Sequence, residues 1–305
     1  MDGLKLAISS MSLGRAWVHS MPSKLSAASK HNILGLEVFY EDLKYLARTE
    51  SNTETPSPEA LLHAASTIKS LCDERNITII GLQPFNFYEG LKDRSEHHEK
   101  IEKMKLWFKI VKILGTDLIQ ILANFLPKEK LTDDMDTIIS EKALNERLER
   151  LAKIVDVKKV FYIQVVDAEK MQEPLVKGHA FWDDEQPARM SWSRNARLFA
   201  GESERGAYLP VEKVTRIIVE CLGYQGWVSM ELFNRSMAEE GESVPDEHAR
   251  RVEDFWKGIQ TWIKWPKLSD WMVSFGQNAI FSRNGEYILL DGLSRGLKQL
   301  AQLGY

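Results

Sequence analysis

The sequence predicts an α/β protein of the (β/α)8 TIM-barrel class that is incomplete, with two of its eight βα units missing. Helix-like and strand-like segments alternate along the chain, which is the pattern of parallel βαβ units. A polar residue interrupts the apolar run near the carboxyl end of most of the strands, as expected at the mouth of a barrel. Only six strands can be counted, whereas a closed barrel of this class has eight. The six strands begin near Leu4, Leu36, Ile77, Leu118, Val160 and Trp227.

The length and charge of the chain favour one large domain that acts on small molecules. With 305 residues, the chain can bury a full core. Its net charge of -4 and pI of about 6.0 give no indication of binding to nucleic acid or to an anionic membrane. Two cysteines, Cys72 and Cys221, provide neither a disulfide framework nor a cysteine metal site. No stretch approaches the ~18 apolar residues of a membrane span, so we expect a soluble, cytoplasmic protein.

The first half of the chain contains four predicted strands, each followed by a helix. The strands cover residues 4–10, 36–40, 77–83 and 118–123. A first short helix is expected from Ser20 to His31. A longer helix begins with Ser57 as N-cap and Pro58 at the first helical position, and it extends to about Arg75. The pair Asp93 and Glu96 predicts the start of the next helix by a capping-box pattern.

A fault in the helical pattern lies in the middle of the chain. Residues 132–155 carry two apolar stripes that fall on roughly opposite faces at ~100° per residue, so one straight helix cannot bury both. Either the helix breaks between Ser140 and Ala143, or two half-helices with different native neighbours are joined there. At ~30 residues per βα unit, the two absent units correspond to about 60 residues. We therefore predict an internal deletion at this junction.

The second half contains a long predicted loop between the strands at residues 160–166 and 226–234. The loop extends to about Tyr208, and its basic residues are His179, Arg189, Arg194, Arg197 and Arg205. The planar guanidinium group suits a carboxylate ligand, because it can donate to both oxygens. Solvated pairing with Asp183, Asp184 and Glu185 is an equally open interpretation of any one arginine. Helices are predicted for residues 211–222 and 247–265.

The acidic residue Glu231 occurs near the end of the apolar strand GWVSMELFN and is the most informative polar residue. Strand alternation places Ser229 and Glu231 on one face and the apolar side chains on the other. Similar positions near strand ends hold the other polar residues of the predicted mouth. The full set is Glu37, Gln83, Gln120, Gln164 and Glu231. The alternative is that these side chains are satisfied polar residues that plug the barrel core.

Several longer stretches of the chain are distinctive, and they read AISSMSLGRAW, GLEVFYEDLKYLAR, GLQPFNFYEGL, FYIQVVDAE, QPARMSWSRNARLF, RGAYLPVEKV and GWVSMELFNR. These stretches resemble the fungal and bacterial 3-dehydroshikimate dehydratases of the xylose-isomerase-like barrel superfamily. The resemblance covers residues 7–265 apart from the junction. It identifies residues 1–265 as the barrel domain and leaves residues 266–305 as a C-terminal extension of unknown structure, with a hairpin expected at Asn284 and Gly285.

The resemblance implies that a divalent metal (Mg, Mn or Co) assists the conversion of 3-dehydroshikimate to protocatechuate in quinate and shikimate catabolism. Gln164 and Glu231 match two of the family's four metal ligands, and the other two ligands and the proton-transfer histidine have no counterpart here. Ser193 and Arg197, with Arg194 beside them, match positions expected to hold the substrate. His179 is not assigned as the base. We therefore expect weak metal binding and little or no turnover.

Two other functions remain open at this point. One is a non-catalytic relative that keeps the barrel mouth as a binding surface. The other is a sugar isomerase or epimerase of the same superfamily, which the motifs SWSRNAR and QVVDAE disfavour. In each case the expected partner is a small molecule, a carboxylate in the leading interpretation, and the sequence leaves the oligomeric state undetermined.

Overall fold

A computed structural model describes residues 3–88, 91–122, 157–216, 218–219 and 223–262 of the chain. Three of the predictions above lie outside these residues. They are the broken helix at 132–155, the junction between Ser140 and Ala143, and the C-terminal extension from residue 266. The hairpin at Asn284 and Gly285 belongs to that extension.

The six predicted strands are all present and form one parallel sheet. The strands in chain order are β1 (Lys5–Ser9), β2 (Gly35–Phe39), β3 (Thr78–Phe85), β4 (Ile119–Ile121), β5 (Tyr162–Val165), β6 (Asp167–Ala168), β7 (Arg197–Leu198) and β8 (Trp227–Met230). The sheet has the order β4-β3-β2-β1-β8-β5, and every neighbouring pair in it is parallel. Strands β6 and β7 pair separately as a short antiparallel ribbon. The described strands therefore form an open half-barrel sheet, and the predicted incomplete barrel is confirmed.

Helices alternate with the strands of this sheet, as predicted. They are α1 (Met21–Lys30), α2 (Tyr40–Ser51), α3 (Pro58–Asp73), α4 (Arg94–Leu114), α5 (Ala188–Asn195), α6 (Val211–Arg216) and α7 (Val244–Trp262). The predicted N-caps are confirmed. Ser57 Oγ accepts from the backbone N–H of Ala60 at 3.2 Å, and Asp93 Oδ1 accepts from that of Ser95 at 2.8 Å. These bonds satisfy N–H groups that lack partners in a helix's first turn.

The prediction of one long loop between Asp167 and Tyr208 was wrong in part. The segment contains the ribbon of β6 and β7 and the helix α5. Both are too short for their apolar periodicity to be visible in the sequence. The bounds of the second strand also differ, because helix α2 begins at Tyr40 directly after the strand ends at Phe39.

The central strands are buried on both faces, as parallel strands covered by helices should be. Every residue of β2 is buried, including the acidic Glu37, whose exposed fraction is zero. Its neighbours Leu36 and Val38 are equally inaccessible and pack in the apolar core. A carboxyl group in such surroundings needs hydrogen-bond donors, and finding those donors locates the site.

Among the described helices, none is long and apolar enough to cross a bilayer.

Candidate active site

The carboxyl group of Glu37 lies at the centre of a buried polar cluster. Its Oε2 accepts hydrogen bonds from Gln83 Nε2 at 2.7 Å and from Gln164 Nε2 at 2.9 Å. Its Oε1 accepts from the hydroxyl of Ser229. The hydroxyl of Tyr162 also donates to this carboxyl group. Glu37 and its donors thus come from four strands. Neutral donors, and not a cation, compensate for the negative charge of the Glu37 carboxylate.

Burial raises the pKa of Glu37 to about 7. The hydrogen bond from Ser229 opposes this rise by stabilising the carboxylate, whereas the negative charge of Glu231 adds to it. Burial, together with the charge of Glu37, also raises the pKa of Tyr162, so the phenol stays protonated at neutral pH. Glu37 is therefore a group that can gain or lose its proton near neutral pH.

The side-chain amide of Gln164 links the two carboxyl groups of the cluster. Its Nε2 donates to Glu37 Oε2 at 2.9 Å and to Glu231 Oε1 at 3.2 Å. Its Oε1 accepts from Gln120 Nε2 at 3.0 Å. When both carboxyl groups are ionised they can only accept, and they then fix which end of the amide faces them. The structure thus joins four of the five predicted mouth residues directly, and Gln83 joins them through Glu37.

Glu231 faces an arginine on its other side. Nη1 of Arg197 donates to Glu231 Oε2, and Nε of the same arginine donates to Ser193 Oγ at 3.0 Å. The guanidinium group lies over the ring of Phe233, with 4.7 Å between its carbon and the ring centroid. Burial raises the pKa of Glu231, and the charge of Arg197 opposes this rise. The ion pair is more exposed than Glu37, since 28% of the Arg197 side chain is accessible.

Three other basic residues of the segment have partners outside this cluster. Nη1 of Arg194 donates to Gln186 Oε1 at 2.5 Å on the exposed side of α5. His179 Nδ1 accepts from the backbone N–H of Phe181 at 3.0 Å. Arg205 pairs with acidic side chains near α7. Of the three predicted substrate-binding residues, the structure therefore brings Ser193 and Arg197 to the mouth, and it leaves Arg194 beside them.

Two members of the cluster, Tyr162 and Ser229, were missed as site residues by reasoning from the sequence. Each lies two positions before a predicted site residue, Tyr162 before Gln164 and Ser229 before Glu231. Side chains two residues apart point to the same face of a strand. Examining the residue two positions before each predicted site residue would have found both.

The described residues provide too few free ligands for a tight divalent-metal site. Gln164 presents its NH2 group, not its carbonyl oxygen, to the two carboxylates. Glu231 is already paired with Arg197, which competes with any second cation. Across the described parts of the chain, no group of three or more His, Cys, Asp or Glu side chains could hold a metal ion. Oxygen ligands of the type that suits Mg or Mn are present, but too few of them converge.

No family model matches this chain. A curated relative, however, matches most of it. This relative is the 3-dehydroshikimate dehydratase of Neurospora crassa, which is 40% identical over 332 residues. The match covers 83% of this chain and 92% of the relative. The aligned length exceeds the whole 305-residue chain, so the relative contains residues that have no counterpart here.

Solved structures show the same fold at low sequence identity. The IOLI protein with a bound zinc atom aligns with a TM-score of 0.56 and 13% identity, over 86% of this chain and all of that one. A xylose isomerase-like TIM barrel/4-hydroxyphenylpyruvate dioxygenase fusion protein aligns with a TM-score of 0.55 and 19% identity. The match covers 87% of this chain and 45% of the fusion protein. The half-barrel is thus built on the fold of the xylose isomerase-like TIM barrels.

Proposed function

The chain belongs to the family of 3-dehydroshikimate dehydratases, and we propose that the polar cluster at its barrel mouth binds and slowly dehydrates 3-dehydroshikimate. The observation that carries this proposal is the hydrogen-bonded chain from Glu37 through Gln164 and Glu231 to Arg197. It lies at the carboxyl ends of parallel strands, where enzymes of this fold have their active sites.

The substrate's carboxylate is proposed to bind Arg197 with help from Ser193. Arg197 is held from three sides, by Glu231, by Ser193 and by the ring of Phe233, so its guanidinium group is preorganised. An incoming carboxylate has to compete with Glu231 for this group. Binding is therefore weaker than it would be for a free arginine in the same place.

The reaction removes one water molecule from the substrate ring. A base takes the proton next to the ketone, the hydroxyl group leaves as water, and rearrangement of the ring gives protocatechuate. Glu37 has a pKa near 7, but four donors surround it and its exposed fraction is zero, so it cannot reach a substrate at the mouth. The other carboxylate of the described cluster, Glu231, is engaged by Arg197, and we therefore expect slow turnover.

A divalent metal (Mg, Mn or Co) is part of the proposal only as a weakly bound ion. Gln164, once its amide is turned to present the carbonyl oxygen, and Glu231 are the two residues that would hold it, with water completing its coordination. When bound, such an ion would stabilise negative charge that develops on the ketone oxygen. No catalytic step is assigned to it, since the described donors are committed to other partners.

The experiment is to mix the purified 305-residue chain with 3-dehydroshikimate and to follow the absorbance of the aromatic product. Parallel samples contain a chelator, Mg or Mn, and Arg197→Ala serves as the variant with a damaged site. The proposal predicts saturable substrate binding by calorimetry, lost in Arg197→Ala, together with slow product formation. Absence of both binding and product from a folded sample would refute it.

A second candidate function is a binding protein without catalysis. The ion pair between Arg197 and Glu231 favours it, because each residue neutralises the other instead of acting on a substrate. The same two measurements separate the candidates. Binding without any product after prolonged incubation assigns the chain to this second class.

The wider context of the activity is also a proposal. We place the reaction in quinate and shikimate catabolism and the protein in the cytoplasm. The described cysteine, Cys72, is free and buried, and burial raises its pKa to about 12, which suits an unreactive thiol. The division into a barrel domain at residues 1–265 and an extension at residues 266–305 likewise remains a prediction.

A further inference from the structure

Lys103 on helix α4 is a half-buried lysine whose amine lies beside three aromatic rings. Its Nζ is 5.1 Å from the ring centroid of Tyr40, 5.4 Å from that of Phe85 and 5.9 Å from that of Trp107. Phe85 and Trp107 are fully buried in the apolar core, and their rings pack edge to face with 4.9 Å between the centroids. The three rings, which belong to α2, β3 and α4, therefore shield the amine from water on the side of the core.

The charged groups that act on Lys103 are cations. Within the described part of the chain they are Lys100 and Lys44, and no carboxylate is among them. The adjacent Glu102 pairs with Lys105 instead, at 2.6 Å between Oε1 and Nζ. Burial, followed by the charges of Lys100 and Lys44, lowers the pKa of Lys103. Lys103 thus loses water around its amine without gaining an anionic partner.

The aromatic rings compensate for this loss only in part. A ring attracts a cation that lies over its face within about 6 Å of the centroid. The three distances at Lys103 fall in the outer part of that range, so the attraction from each ring is weak. Desolvation and a neighbouring cation are two ways in which a protein activates a lysine as a nucleophile, because both favour the uncharged amine. Lys103 has both.

We propose that Lys103 is a modification site that takes an acyl group from a small acyl phosphate. The amine attacks the carbonyl carbon, a C–N bond forms, and the bond between that carbon and the phosphate oxygen breaks. The phosphate leaves with the electron pair of this bond and takes up the proton that the amine loses. No oxidant or further reactant is required. The amide that forms is uncharged, so the attraction of the rings for a cation is lost.

The neighbouring lysines favour an anionic donor. The charges of Lys44 and Lys100 attract the phosphate group of an approaching acyl phosphate and raise its local concentration. A neutral acyl donor gains nothing from these charges. The residues that form this site lie outside the polar cluster proposed to bind 3-dehydroshikimate, so the modification stands or falls independently of that function.

The test incubates the full chain with acetyl phosphate at neutral pH and follows acetylation of each lysine by tandem mass spectrometry. Lys105 is the internal control, since it lies on the same helix, is 61% exposed and pairs with Glu102. Each unit by which a pKa falls raises the uncharged fraction about tenfold, and lower basicity offsets part of this gain, so we expect Lys103 to react on the order of fivefold faster than Lys105. Equal or slower acetylation of Lys103 would overturn the proposal.

Two methionine variants test the role of the neighbouring charges. Lys100→Met removes a cation that acts on Lys103, whereas Lys109→Met removes an exposed lysine elsewhere on α4. Acetylation of Lys103 by acetyl phosphate should slow about threefold in Lys100→Met and stay unchanged in Lys109→Met. The slowing should be smaller with the neutral donor N-acetoxysuccinimide. Thermal melts verify that both variants are folded, and an unchanged rate at Lys103 in folded Lys100→Met would contradict the proposal.

Discussion

The buried carboxyl group of Glu37 determines much of the local structure of the mouth. Transfer of an ionised carboxylate into a protein interior is costly unless hydrogen bonds compensate for the lost water. Gln83, Gln164, Ser229 and Tyr162 supply those bonds from three other strands. Gln164 is also hydrogen-bonded to Gln120 and Glu231, so the cluster orients its amide. The amide in turn orients these two side chains at the mouth.

The raised pKa of Glu37 predicts that the metal-free protein becomes less stable as the pH rises from about 5 to 7.5. The folded state binds the proton up to a pKa of about 7, whereas the reference value is 4.5, so the folded state holds more protons in this window. The free energy of unfolding therefore falls with rising pH, by on the order of 3 kcal/mol for this group. Urea unfolding of Glu37→Gln should show a correspondingly smaller fall, and Glu204→Gln, at an exposed position, should behave like the unaltered chain. An identical fall in Glu37→Gln would contradict the assignment.

The ion pair at the mouth predicts opposite effects for its two partners. Glu231→Gln removes the carboxylate that competes for Arg197, so we expect tighter binding of 3-dehydroshikimate in the presence of a chelator. Arg197→Gln removes the guanidinium group and should weaken binding by about 10- to 100-fold, the range for a hydrogen bond to a charged group. Calorimetry measures both constants. Weaker binding in both variants would show that Glu231 assists the ligand instead of competing with it.

At the scale of elements, a buried ion pair connects helices α1 and α2 to the end of β2. Lys24 Nζ lies 2.5 Å from Asp42 Oδ1, and neither side chain is more than 4% exposed. Ser10 Oγ donates to Asp42 Oδ2 at 2.6 Å and accepts from the backbone N–H of Phe39 at 2.9 Å. Through Lys24 and Ser10, the carboxylate of Asp42 thus joins α1, α2 and the end of β2, the strand that carries Glu37.

Loss of one partner of this pair should be strongly destabilising. Lys24→Met leaves Asp42 buried without its cation, which is expected to cost about 3–5 kcal/mol in the free energy of unfolding. The same helix offers a control, since Lys30 pairs with Asp246 in an exposed position. Lys30→Met should cost less than about 1 kcal/mol. Similar losses in the two variants, measured by urea unfolding, would contradict the importance of burial.

The elements themselves were largely predictable, because strong local signals specify them. Ser57 and Asp93 cap their helices as the sequence indicates. The short helix α5 was not predictable, because eight residues give too few turns to show a periodic apolar face. Its N-cap position is occupied by Pro187, which makes no side-chain capping bond that could have marked the start.

The site was predictable in its positions but not in its contacts. Strand alternation and the strand ends predicted that Glu37, Gln164 and Glu231 would meet. The sequence could not show that Arg197, 34 residues before Glu231, would return to pair with it, because that contact depends on the path of the segment through α5 and β7. Nor could it show the orientation of Gln164, which depends on both carboxylates at once.

At the scale of the molecule, the open sheet predicts unequal protection of its strands. Within the described residues, β4 and β5 each have one neighbouring strand, whereas β1 and β2 each have two. We expect the backbone amide of Ile121 in β4 to exchange with deuterium faster than that of Val38 in β2. Hydrogen exchange followed by NMR gives both rates. Slower exchange at Ile121 would show that β4 is not an edge of the sheet.

The central claim is that hydrogen bonds and an ion pair already engage Gln164 and Glu231, the two residues proposed as metal ligands. Calorimetric titration of the purified chain with Mn tests this most directly. We predict weak binding in the millimolar range, with a further loss in Glu231→Ala. A tight single site in the micromolar range would contradict the claim, and it would show that the chain completes a metal site that its described residues do not form.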